Sequence, residues 1–126
     1  MAQRKILLID DSEVSLHFAS RILGKAGFDV RTTLDVHDLQ SVLGGWRPDI
    51  ILTDVDMPGV TGPELCRMLK SSYETAHVPV VLFSAVPSRE LETMARECEA
   101  DGFLSKANGL ERLPQELELL IETALF

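Results

Sequence analysis

Five times along the chain a short apolar run gives way to a longer stretch with helical spacing, and this alternation constrains the fold more than any other feature. The runs are KILLID (5–10), DVRTTL (29–34), PDIILTD (48–54), VPVVLFSA (78–85) and DGFLSK (101–106). Each is short and bounded by turn residues, as a strand is. The intervening stretches predict helices. In 12–28, Val14, Phe18 and Ile22 mark an apolar stripe that Leu16, Ala19 and Leu23 widen, with Gly24 or Gly27 as the stop. In 35–45, Asp35 is a plausible N-cap and Gly44-Gly45 ends the turn. Pro63 lies near the start of a helix over 61–72, and Ser88 caps one over 88–100. Pro114 opens the last helix, over 113–126, whose apolar face is Leu113, Leu117, Leu120, Ile121 and Ala124.

Near-continuous apolar strands alternating with helices imply an α/β fold, a parallel sheet with helices on both faces. Right-handed crossovers leave few topologies. At 126 residues the chain predicts one domain over 1–126, without an output domain. The first residues, MAQRKILLIDD, have too short an apolar stretch for a signal peptide. No stretch has the roughly 18 apolar residues of a membrane span. Cys66 and Cys98 both fall in predicted helices and suggest no disulfide framework. A reduced, cytoplasmic setting is the simpler expectation. His17, His37 and His77 lie on different elements, without metal-ligand spacing, and read as surface residues.

Twelve basic and twenty acidic residues give a net charge of −8, which argues against direct nucleic-acid binding. The charge is uneven: from Ser88 onward, nine acidic and four basic residues leave −5 in the last 39 residues. A solvated acidic surface is one reading, and a docking face for a basic partner is the other.

Ligands of open parallel sheets bind outside the carboxyl ends of the strands. There the sequence places Asp10-Asp11, Asp54, Ser84-Ala85 and Ser105-Lys106. Singly these read as turn residues, caps or solvated charges. Asp54 is harder to set aside, because the strand before it is apolar throughout. Two carboxylates about 4 Å apart repel by roughly 4 kcal/mol at an effective dielectric near 20, so three in one cleft need a counter-ion. Hard oxygen ligands around an open site suit Mg²⁺, or the similar Mn²⁺. With an ammonium and a hydroxyl beside them, the group is built to hold a phosphoryl moiety.

Along its whole length the chain resembles the receiver domains of two-component response regulators. Asp10-Asp11 stand where that family has its metal-site acids. Asp54, Met57, Pro58 and Gly62 match its Asp-x-x-Met-Pro-x-x-x-Gly loop. Ser84-Ala85 and Lys106 follow Asp54 at the family's distances. The resemblance implies a doubly wound, three-layer (βα)5 fold of flavodoxin-like order 2-1-3-4-5. It implies that Asp54 accepts a phosphoryl group from a histidine kinase, a phosphotransfer protein or a small acyl phosphate. Asp11 and Asp54 would ligate Mg²⁺ directly, Asp10 through water and Asp56 through its backbone carbonyl. Lys106 and Ser84 would hold phosphoryl oxygens. Phe103 would switch with Ser84, altering the surface of the fourth helix, fifth strand and fifth helix for a downstream protein. Such a chain is a signalling module rather than a conventional enzyme, although it assists its own phosphorylation and dephosphorylation.

Three positions depart from the family pattern. Ala107 replaces the usual proline after the lysine, Glu99 replaces the glycine that often ends the fourth helix, and Phe103 lacks the hydroxyl of the commoner tyrosine. Two rival readings remain open. One is a receiver-like binding module that works without phosphate. The other is a haloacid-dehalogenase-like phosphatase, whose Asp-x-Asp resembles Asp54-Val55-Asp56 but ends a first strand.

Overall fold

A computed structural model describes residues 3–126, so Met1 and Ala2 of the leader and domain readings lie outside it. The main sheet has five parallel strands: β1 (Lys5–Ile9), β2 (Asp29–Thr33), β3 (Ile50–Thr53), β6 (Val80–Ser84) and β7 (Gly102–Ser105). Their order is β2-β1-β3-β6-β7, the flavodoxin-like arrangement expected. Between β3 and β6, a two-stranded antiparallel hairpin, β4 (Asp56–Met57) and β5 (Val60–Thr61), forms a separate small sheet. The sequence predicts only a loop there.

Side-chain alternation along the strands builds two cores. Leu7, Ile9, Ile51, Val80 and Leu82 point to one face. There they meet α2 (Leu39–Leu43), α3 (Gly62–Ser71) and α4 (Ser88–Cys98). Ile6, Leu8, Ile50, Leu52, Val81 and Phe83 point to the other, against α1 (Glu13–Lys25) and α5 (Leu113–Leu120). A period of two on strands covered from both sides requires two such layers. β2 is the exposed edge strand, with Arg31 and Thr32 open to solvent.

Several helix details differ from expectation. In α1 the buried residues are Leu16, Ala19 and Leu23, while Val14 and Phe18 are 66% and 49% exposed. The predicted stripe is therefore centred on the wrong face, because two apolar rows share this helix and only one meets the sheet. Ser12 caps α1, its hydroxyl accepting from the Ser15 N–H at 3.2 Å. Asp35 does cap the second helical segment, accepting from His37, but that segment begins as a 3₁₀ turn (Val36–Asp38). Gly44 ends it in the left-handed region. Ser88 does not cap α4; it is the first helical residue, after Pro87. Glu99 ends α4 at φ 57°, the conformation a glycine would adopt there freely.

At the carboxyl end, α5 passes into a π-helical turn, Ile121–Leu125. The wider turn shifts the phase of the helix, so Ala124 is exposed and Leu125 packs toward the core instead. His17, His37 and His77 are all exposed, and Cys66 and Cys98 are buried free thiols. Among the described residues no helix is long and apolar enough to cross a membrane.

Candidate functional site

Sheet register brings the acids together. Ile9 of β1 pairs with Thr53 of β3, so the next residues, Asp10 and Asp54, leave the sheet side by side. The Asp54 N–H donates to the Ile9 carbonyl at 2.9 Å, and the Asp10 N–H to the Thr33 carbonyl at 3.2 Å. Ser84 pairs with Ser105 at the ends of β6 and β7, so Lys106 leaves the same edge. Asp10, Asp11 and Asp54 each place one carboxylate oxygen within 4.8 Å of the others.

Lys106 closes the cluster. Its Nζ donates to Asp10 Oδ2 at 2.5 Å and to Asp54 Oδ2 at 3.2 Å. The side chains of Lys106, Asp10 and Asp54 are only 16%, 6% and 12% exposed. Ions this far from water need partners. Burial pushes the Asp10 carboxyl up, but the Lys106 ammonium, the Ser12 backbone N–H and the Ser15 hydroxyl outweigh it. The net result holds Asp10 below the ordinary carboxylate value.

Backbone donors fix Asp54 in turn. Its Oδ1 accepts from the N–H groups of Val55 (2.7 Å) and Asp56 (3.2 Å), leaving Oδ2 facing Lys106. Asp56 itself points to solvent at the start of the hairpin. Asp11 is likewise exposed, at the mouth of the cleft. An all-oxygen set with exposed and buried members around an open position fits a hard divalent cation such as Mg²⁺, which keeps part of its water shell.

Ser84 lies at the same edge but is buried, its Oγ accepting from the Val86 N–H at 3.3 Å. Phe103 on β7 is partly buried and packs against the core layer of α3 and α4.

The segment after Lys106 carries the substitution at position 107. Every peptide bond among the described residues is trans. The chain turns through a short 3₁₀ segment, Lys106–Asn108, in which Ser105 Oγ accepts from the Ala107 N–H at 3.1 Å. A proline at 107 could not make that bond. Lys106 reaches both carboxylates from this trans turn.

Two contributors go beyond what the sequence reading finds. Ser105 reads there only as a strand end, although Ser before a turn is a known local acceptor. Phe83 reads only as strand core, yet the Lys106 ammonium lies over its ring, 5.4 Å from the centroid.

The fold is thus an open parallel α/β sheet of flavodoxin-like order, with three acids and a lysine converging at its carboxyl edge. The family model of the response regulator receiver domain matches residues 6–118, and the chain belongs to that family. It is 36% identical over 102 residues to the response regulator PleD of Caulobacter vibrioides, a stretch covering 81% of this chain and 22% of PleD. The chain thus spans well under two thirds of that curated relative. Among solved structures it resembles the chemotaxis response regulator CheY4 of Vibrio cholerae at 27% identity and a TM-score of 0.81, covering 94% of this chain and 99% of that one. DrrB of Thermotoga maritima, an OmpR/PhoB homologue, matches at 26% identity and a TM-score of 0.77, covering 96% of this chain and 54% of DrrB. Family membership sets aside the phosphatase reading.

Proposed function

We propose that this chain is a phospho-accepting signalling receiver whose acceptor is Asp54. The observation that carries the reading is the Lys106 ammonium shared between Asp10 and Asp54, with Asp54 Oδ1 tied to two backbone amides. One carboxylate oxygen is thereby held still, and the other is left as the nucleophile.

The donor is a histidine kinase, a phosphotransfer protein or a small acyl phosphate. Asp54 Oδ2 attacks the phosphorus, a P–O bond forms, and the donor's P–N or P–O bond breaks. The leaving imidazole keeps the electron pair and takes a proton from solvent, whereas an acyl donor leaves as its carboxylate. The product is a mixed anhydride on Asp54. Lys106 moves from Asp54 Oδ2 to a phosphoryl oxygen, remaining the positive partner of the site. Asp11, Asp54 and the Asp56 carbonyl would hold Mg²⁺ directly and Asp10 through water; bound there, the ion supplies charge neutralisation for the acids and the phosphoryl group.

Ser84 would release its turn contact and donate to another phosphoryl oxygen. Phe103 would follow into the space vacated, altering the face of α4, β7 and α5. That face belongs to the part of the chain with a net charge of −5, which suits a protein partner with a basic rim and not a nucleic acid. The site groups support a phosphate-dependent role over a phosphate-independent binding module, because Lys106 stays engaged without a proline at 107.

The test is incubation of the full chain with acetyl phosphate and Mg²⁺, read by intact mass. A single phosphoryl adduct labile to hydroxylamine is expected on the wild type and none on Asp54→Asn. An adduct that persists in Asp54→Asn would move the acceptor elsewhere.

A further inference from the structure

We propose that Phe83 is a positioning residue for Lys106, its ring face holding the ammonium at the cleft while the lysine's carboxylate partners change. This rests on the reading of Asp54 as the phosphoryl acceptor.

The Lys106 ammonium has three N–H donors, and two of them serve Asp10 and Asp54. Phe83, buried on β6, presents its ring 5.4 Å from Nζ, inside the range of a cation–π attraction. Phe83 is 5% exposed and the Lys106 side chain 16%, so little solvent screens the ring from the cation.

The partners of Lys106 differ in permanence. Asp54 loses its free carboxylate when it is phosphorylated, whereas the Phe83 face does not change with the chemistry. A lysine on a flexible four-carbon stem gains most from such a fixed partner. The turn after Lys106 gives it little other restraint. That turn is trans and is held by the Ser105–Ala107 contact and by the Gly109 N–H to the Lys106 carbonyl. Phe83 also packs in the core with α1 and α5, and any test must separate that packing from the ring's electrostatics.

Fluorinated phenylalanines make the separation, because they keep the shape of the ring and weaken its negative face. The full chain would carry 3,5-difluoro- or 3,4,5-trifluorophenylalanine at position 83, with F83L as the aliphatic control. Two quantities would be read: the rate of Asp54 phosphorylation by acetyl phosphate with Mg²⁺, and the mobility of the Lys106 Cε methylene by NMR without phosphate donor. The expected result is unchanged thermal stability of the fluorinated chains with a stepwise fall in rate and a stepwise rise in mobility. In F83L the rate falls about twofold to thirtyfold. Rates and mobility unmoved by fluorination would overturn the proposal and leave Phe83 a core residue only. Should the wild type form no adduct on Asp54, the acceptor reading fails, while the mobility series still decides whether the ring holds the lysine.

Discussion

Replacing Lys106 with methionine tests the electrostatic logic of the cleft. The substitution keeps an unbranched apolar stem and removes the charge. Asp10 and Asp54, 6% and 12% exposed, are then left facing each other. Their nearest oxygens lie within 4.8 Å, so at an effective dielectric near 20 the repulsion is about 3.5 kcal/mol. Both ion pairs of the ammonium, at 2.5 and 3.2 Å, disappear with it. Removing one member of a buried ionic group typically costs about 3–5 kcal/mol. A destabilisation of about 3 kcal/mol at pH 7 is therefore expected for Lys106→Met, measured by urea unfolding in the absence of divalent metal.

The sign of the pH dependence sharpens the test. In the wild type the Asp10 carboxyl is held below its ordinary 3.8. Its contribution is then present above the unfolded value and lost as pH falls through the lowered folded value. Without Lys106 the largest lowering interaction is gone and burial dominates, so the folded value should rise above the unfolded one. Stability of Lys106→Met should accordingly increase on acidification from about pH 7 toward pH 5, a range in which the wild-type Asp10 contribution is constant. Asp10→Asn in the Lys106→Met background should recover most of the deficit at neutral pH. A single variant within about 1 kcal/mol of wild type at pH 7, with an unchanged acid profile, would refute the argument.

Glu99→Gly should stabilise the fold by about 1 kcal/mol, because Glu99 sits at φ 57° where a side chain is strained; a Tm rise of a few degrees by calorimetry is the check. Cys66 supplies an alkaline counterpart: burial, with the Cys98 thiol adding to it, pushes its thiol from 9.0 up to about 12. A raised folded value means its contribution is complete below the unfolded 9.0 and is lost as pH climbs toward about 12. The urea midpoint should fall across that window, less steeply in Cys66→Ala, and alkylation of native Cys66 at about pH 8 should be slow.

Strand existence was legible because each strand carries its own signal, whereas the strand order came from the family resemblance. Runs such as residues 50–53 and 80–84 are buried on both faces and so are apolar almost throughout. Helix orientation was less legible. In α1 two apolar rows, Val14-Phe18 and Leu16-Ala19-Leu23, are both compatible with helical spacing. Only the position of the sheet decides between them, and that is a tertiary fact. The hairpin at Asp56–Met57 and Val60–Thr61 left no signal either, since two-residue strands are too short to show a period. At the last helix the phase was lost for a different reason: nothing in ELELLIETAL announces a π-helical turn, yet that turn exchanges Ala124 for Leu125 at the core.

The site was legible to the extent that topology alone determines it. A residue one step beyond the end of a parallel strand must emerge at the carboxyl edge, so Asp10, Asp54 and Lys106 could be gathered there before any distance was known. What topology does not supply is the surrounding layer of interactions. Lys106 could reach the cleft with or without a proline after it, and the sequence offered no way to choose. The neighbouring contacts are the Ser105 hydroxyl, which accepts from the Ala107 N–H one residue either side of the lysine, and the Phe83 ring, on the neighbouring strand beneath its ammonium. Both are residue types that usually do something blander, a strand-end hydroxyl and a core ring. Their roles follow from the register of β6 against β7, which sets Phe83 opposite Leu104 and Ser84 opposite Ser105, one residue short of the lysine. The residues of the candidate site can thus be read in one dimension, while those that surround them belong to the pairing of two strands.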